Sequence, residues 1–215
     1  MTKEDIINKI IKIFNHTSYL EIGVQNGLSF KKINIKEKVG VDPKMQYEDD
    51  NLYEMTSDEY FINHKKMYDI ILIDGLHEAS QCLKDIINAS QALKPGGHIV
   101  CHDMLPTSKA MQQVPRIAKE WTGNSWKAWA TIKKENPSLN MFIVDSDYGV
   151  GILHLPKITQ LNYSEVEAFK YKDYNLNKEK IMGEIIKPFS FEKRIYLQNF
   201  FYKIRKILQI KKGTS

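Results

Sequence analysis

Between Ile6 and Phe14 apolar residues recur at helical spacing. Ile6, Ile7, Ile10, Ile13 and Phe14 share one face, which predicts an amphipathic helix packed onto the rest of the chain. Short apolar runs suited to strands follow at Ser18–Ile22, at residues 38–41, 68–74 and 98–103. The run 68–74 is unbroken in its middle and suits a strand buried on both faces. Residues 78–93 return to helical spacing, with Ala79, Leu83, Ile86, Ile87, Ser90 and Leu93 three or four apart. Lys94-Pro95-Gly96-Gly97 then predicts the end of that helix, because proline lacks a donor and glycine tolerates the left-handed turn. Strands alternating with helices predict a parallel sheet. The runs 141–145 and 149–154 break this rule, since only Ser146-Asp147-Tyr148 separates them and so short a link joins antiparallel neighbours. From about residue 157 the pattern is polar and helical. Residues 1–156 therefore read as the main domain and 157–215 as a helical, basic extension.

At 215 residues, with 42% hydrophobic and 27% charged positions, the chain suits one domain with a full core. It has no apolar run long enough for a spanning helix, and its acidic N-terminus lacks a hydrophobic signal core. Cys82 and Cys101 form no disulfide framework and read as reduced thiols, Cys101 as a small buried hydrophobe. A cytoplasmic location is the expectation. The net charge of +5 is uneven: residues 192–215 hold seven basic residues and one acid, leaving the remainder close to neutral. That balance excludes a nucleic-acid footprint on the body. In the tail, Leu197, Phe201, Ile204 and Leu208 recur at helical spacing beside Arg194, Lys203, Arg205 and Lys206. Such a helix suits peripheral contact with an anionic membrane surface, or packing on the body or on a homo-oligomeric partner.

The chemistry begins at Tyr19-Leu20-Glu21-Ile22-Gly23-Val24-Gln25-Asn26-Gly27, followed about twenty residues later by Val39-Gly40-Val41-Asp42. Glycines let a backbone turn sharply beside a ligand, and a carboxylate at the next strand end can hold ribose hydroxyls. Those features, with Thr56-Ser57-Asp58, Lys94-Pro95-Gly96-Gly97 and the hairpin, resemble class I S-adenosylmethionine (SAM) methyltransferases over roughly residues 15–155. The frequent middle glycine of the first motif is Gln25 here. Ile73-Asp74-Gly75-Leu76-His77 with Val100-Cys101-His102-Asp103 resembles a subgroup that includes sugar O-methyltransferases of surface-polysaccharide and antibiotic pathways, some of which use a divalent metal. The resemblance implies a Rossmann-like, doubly wound α/β fold with a mostly parallel seven-stranded sheet and an antiparallel C-terminal hairpin. It also implies SAM as cofactor, held by Glu21, Gly23, Gly27, Asp42, Ser57, Asp58 and Asp74, and a small-molecule or glycan acceptor.

Methyl transfer from a sulfonium is an in-line displacement, so alignment of the acceptor dominates, and an alcohol must also lose a proton. His77, His102 and Asp103 are the catalytic candidates. Asp74, His102 and Asp103 also make a donor set suited to Mg²⁺ or Mn²⁺. The same acids could instead cap turns, with the histidines in routine hydrogen bonds. Asp42 could equally cap the turn after its strand, and Ser57-Asp58 could begin a helix. Asp147 and Tyr148 could line an acceptor pocket or serve turn geometry. Trp121, Trp126 and Trp129 could stack on an acceptor or fill the core. His16, His64, His98 and His154 receive no functional reading. An NAD-dependent oxidoreductase shares the glycine-loop physics, but Glu21 beside that loop would repel a pyrophosphate and suits a cationic cofactor. A nucleoside-binding subunit without turnover is the non-enzymatic alternative.

Overall fold

The computed structural model describes the backbone of residues 1–213 and side chains through residue 209. Lys211 and Lys212 of the cationic tail, by their side chains, and Thr214 and Ser215 lie outside the described residues. The first helix, α1 (Lys3–Phe14), begins with a reciprocal cap in which Thr2 and Asp5 exchange side-chain and backbone hydrogen bonds. It ends at Asn15 in the left-handed conformation, and it buries Ile6, Ile7, Ile10 and Ile11.

Five parallel strands form one side of the sheet: β1 (Ser18–Ile22), β2 (Glu37–Asp42), β3 (Leu52–Glu54), β4 (Tyr68–Ile73) and β5 (Leu93–Cys101). Three more complete it: β6 (Asn140–Val144), β7 (Val150–Leu155) and β8 (Glu184–Ile186). The order is β3-β2-β1-β4-β5-β7-β6-β8, with β7 antiparallel to both β5 and β6, and β8 parallel to β6. The sheet thus has eight strands where seven were expected. The added one, β8, lies in the segment read as a helical extension. It is three residues long and half-buried, too short for an alternation to register. The expected helix terminator at residues 94–97 is already part of β5, whose pairing with β4 shifts register between Tyr68 and Ile70. Pairing along the sheet overrides the local turn signal there.

The side chains of β4 alternate between two cores, as strand pleating requires. Ile71 and Ile73 join a cluster with Leu20, Ile99, Trp126 and Trp129; Ile70 and Leu72 join one with Ile6, Ile10, Tyr19 and Phe142. The first cluster is covered by α3 (Ser57–Asn63), α4 (Ala79–Gln91) and α5 (Trp126–Glu135). The second is covered by α1 and by the last helix, α8 (Phe191–Gly213), after α2 (Leu28–Lys32), α6 (Tyr171–Leu176) and α7 (Lys178–Met182) have been passed in chain order. Each fully buried aliphatic or aromatic side chain contributes roughly 1.5–3 kcal/mol. Trp126 and Trp129 are both within the core, which removes them as acceptor-stacking residues. Their indole area is worth more against Tyr174 and Gly151 than at a surface. Strand order reverses between β1 and β4, so a crevice opens at their carboxyl ends.

Candidate active site

A cleft of about 850 Å³ lies in that crevice, within the ~300–1,000 Å³ usual for small-ligand sites. One end is built by the β1 turn. Gly23 has φ +95°, and a Cβ there would lie 2.1 Å from the Asp74 carbonyl, so only glycine lets the ends of β1 and β4 approach this closely. Gln25 occupies the position where a third glycine was looked for, and its φ of +46° is the left-handed value a glycine would have supplied. Asp42 accepts hydrogen bonds from the backbone N–H of Gln25 at 2.9 Å and of Lys44 at 2.8 Å, so it braces the turn while lining the cleft. Gly27 does not line the cleft: it starts α2, and the Tyr47 ring fills the space beside it.

Glu21 is fully buried at the cleft floor. Burial raises its carboxyl to about 7, although the Tyr19 hydroxyl donates to Oε2 at 2.6 Å; Oε1 has no partner. On the adenine-side wall suggested by the sequence, Thr56 rather than Ser57 or Asp58 caps α3, in a reciprocal cap with Glu59. Ser57 instead donates to the buried Asp85 at 2.7 Å, and Gln81 donates to both Asp85 and Asp58 at 3.1 Å. Burial pushes Asp85 up to about 6. Gln81 and Asp85 were missed by sequence reading, because Asp85 sits at the margin of the buried face of α4 and not in its apolar stripe.

The other end of the cleft holds a dense polar cluster. Asp74 follows β4, and His102 and Asp103 follow β5. Asp147 arrives from the β6–β7 turn because Met104 and Leu105 donate backbone hydrogen bonds to the carbonyls of Gly149 and Tyr148. His102 lies 3.1 Å from Asp74 through Nδ1 and 3.4 Å from Asp147 through Nε2. His77 lies 3.2 Å from Asp103 and 3.6 Å from Asp74. Lys3, at the start of α1, places Nζ 2.9 Å from Asp74, and its backbone N–H donates to Asp147 at 2.8 Å. Sequence reading missed Lys3, because nothing local links residue 3 to residues 74 and 147. His77 precedes α4, and it is held by the segment before α5. There the Asn124 N–H donates to the His77 carbonyl, Gly123 leaves no room for a Cβ beneath it, and Trp121 stacks on the imidazole at 5.2 Å.

Electrostatics in the cluster are set by burial against mutual charge. Burial opposes a charged His102, but Asp74, Asp147 and Asp103 more than offset it and raise its pKa to about 10. Burial would likewise raise Asp74, yet His102, His77 and Lys3 hold it well below the usual carboxylate range. The His102 ring 3.4 Å away and the backbone N–H of Lys3 hold Asp147 at about 2. Asp103 differs: its burial outweighs the nearby cations and brings it up to about 6. It also adopts φ +63°, a left-handed conformation uncommon for a residue other than glycine. Asp74, His102 and Asp103 each offer one ligand atom, all within 4.8 Å of one another, and this is the group among the described residues that could hold a metal ion.

The fold is the Rossmann-like one found in methyltransferases, a mostly parallel sheet closed by antiparallel C-terminal strands. Residues 41–104, from the end of β2 to just past β5, match the family described as "Methyltransferase domain". Three solved structures share the fold. A proposed caffeoyl-CoA O-methyltransferase from Staphylococcus aureus superposes with a TM-score of 0.53 at 18% identity, over 71% of this chain and 82% of that one. Cofactor-bound Rv0187 from MTB gives 0.53 at 12% identity, over 73% and 82%. The S-adenosylhomocysteine-bound Podospora anserina methyltransferase PaMTH1 gives 0.51 at 17% identity, over 68% and 76%. No curated protein matches the sequence significantly.

Proposed function

We propose that the chain transfers the methyl group of SAM to a hydroxyl oxygen, on a sugar of a glycan or glycosylated metabolite. The observation that carries this reading is the buried cluster of carboxylates and imidazoles at one end of the cleft, next to the Gly23–Asp42 end suited to a nucleoside. SAM supplies an electrophilic methyl on a positively charged sulfur. Asp42 accepts from the ribose hydroxyls, and the unpartnered Glu21 oxygen receives the cofactor's ammonium group. Ser57 and Asp58 contact the base-side wall. Asp74 orients the acceptor hydroxyl together with His77, whose ring is fixed by Trp121.

The acceptor proton goes to His77 or Asp103. Asp103, at about 6, is free to take a proton near neutrality, whereas His102 is held charged by its three acids. The donor set of Asp74, Asp103 and His102 fits Mg²⁺ or Mn²⁺ in ligand type, with His102 giving up its proton to ligate. A cation held there would supply charge that lowers the pKa of a nearby hydroxyl. The Lys3 ammonium beside Asp74 already supplies part of that charge.

Incubation with methyl-labelled SAM and a cell-envelope extract should yield a labelled glycan methyl ether, and chelation by EDTA separates the cation-assisted from the cation-free route. Asp42→Ala should weaken S-adenosylhomocysteine binding in calorimetry by roughly 10- to 100-fold, the value of hydrogen bonds to a charged group. A chain whose melting temperature responds to NAD but not to SAM or S-adenosylhomocysteine would overturn the reading.

A further inference from the structure

Helix α8 packs only part of its circumference against the chain. Phe191, Ile195, Gln198 and Asn199 are buried, with Asn199 donating to the Ile13 carbonyl at 2.7 Å and the Tyr202 hydroxyl to the Pro95 carbonyl at 3.3 Å. Residues 203–209 are all exposed, so the last described turns have left the body of the domain. On the side away from the buried face run Leu197, Phe200, Phe201, Ile204, Ile207 and Leu208, each 37–58% exposed, with Tyr196 at one margin. Their spacings of three, one, three, three and one gather them into a single stripe at 3.6 residues per turn. Soluble monomers rarely leave so many large apolar side chains contiguous and uncovered.

Charge identifies what covers the stripe. Residues 193–215 contain no Asp or Glu. Lys203 flanks the stripe on one side and Arg205 on the other, while Lys193 lies within it; Arg194 is paired with Glu184. We propose that this outward face of α8 docks on an anionic lipid bilayer, with the apolar stripe in the boundary between headgroups and acyl chains and the flanking cations on lipid phosphates. A second copy of the chain fits less well, because two such faces would bring cations together with no acid between them. No helix among the described residues is long and apolar enough to cross a membrane, so the contact lies on the surface.

The helix meets the sheet where β5 begins and β7 ends, at Pro95, His98 and His154, whereas the cleft opens beyond the end of β5 at Asp103. Docking therefore leaves the cleft uncovered. Flotation of the full chain with vesicles tests the proposal, and it is read without turnover, so its result does not depend on the proposed chemistry. Vesicles of phosphatidylcholine with phosphatidylglycerol should carry the chain and pure phosphatidylcholine vesicles should not, with release by high salt. Phe200→Ser combined with Phe201→Ser, and separately Lys203→Glu combined with Arg205→Glu, should each lower the bound fraction by about tenfold or more. Both variants alter exposed residues, and unchanged thermal unfolding will verify that they fold. Failure to float with either vesicle, or equal flotation of the Phe200→Ser/Phe201→Ser variant, overturns the proposal. So does equal binding to both lipids, or a solution dimer that the same substitutions dissociate.

Discussion

Histidines gather at both rims of the sheet, and their surroundings give them opposite properties. At the carboxyl rim, His77 and His102 stand among Asp74, Asp103 and Asp147. At the amino rim, His98 and His154 stack 4.6 Å apart, His16 Nε2 lies 2.9 Å from His98 Nδ1, and Phe14, Tyr202 and Gln198 enclose them. Both groups are largely buried, and burial opposes a charge in each. At the carboxyl rim three acids reverse that effect and raise His102 to about 10. At the amino rim Asp69 acts on His16 against Lys94, while Arg194 and Arg205 act on His154. There burial lowers His16 and His154 to about 4 and holds His98 well below the ordinary value. Clustered histidines alone therefore do not make a reactive site; charged partners beside a cleft do.

The largest test of this contrast is Asp103→Asn set against His98→Leu. Loss of the carboxylate should lower kcat by about 100- to 1,000-fold with little change in melting temperature, by removing a proton acceptor from the cleft. The His98 substitution should leave kcat within about threefold and act on stability instead. If both variants lose activity equally, the two rims do not differ in function. A second test uses pH. The amino-rim histidines have pKa values lower in the folded than in the unfolded chain, so below about 6.5 the unfolded chain binds more protons. Their contribution to stability is complete above about 6.5 and is lost as pH falls toward 4. Between pH 7 and pH 5 the melting temperature should fall by about 5 °C or more beyond the change seen when His98 and His154 are both leucine, a comparison that cancels the opposing effect of the raised Glu21, Asp85 and Asp103 carboxyls. An identical drop in that variant would show that the amino rim does not couple to pH.

The smallest effect belongs to Gln25. Its left-handed backbone costs about 1 kcal/mol that glycine would not incur, partly offset by glycine's greater unfolded-state freedom. Gln25→Gly should raise the melting temperature by about 1–3 °C without weakening binding of S-adenosylhomocysteine. A fall in melting temperature would mean that the side chain, and not the turn, matters at that position.

Much of this site was legible in the chain. The strand ends bearing Glu21, Asp42, Asp74 and His102-Asp103 could be placed because apolar runs mark strands and polar residues mark where they emerge from the sheet. The hairpin followed from a three-residue link. Lys3 and Asp85 were not legible, and the partnership of Asp147 with His102 was left as one reading of a turn. These depend on residues 28 to 144 positions apart in sequence meeting at one rim. β3 and β8 escaped for a different reason. Three half-exposed residues at a sheet edge carry too few positions to show a period.

Local sequence settled the longer central elements, the reversal of the final hairpin and the residue types gathered at strand ends, since these follow from the alternation of apolar and polar side chains and from steric limits on short links. Tertiary structure alone decided which histidines are charged. A histidine's own neighbours in sequence say little about its proton, because charge in a buried site is fixed by the acids and cations that distant segments bring within about 4 Å, and by how much water they exclude.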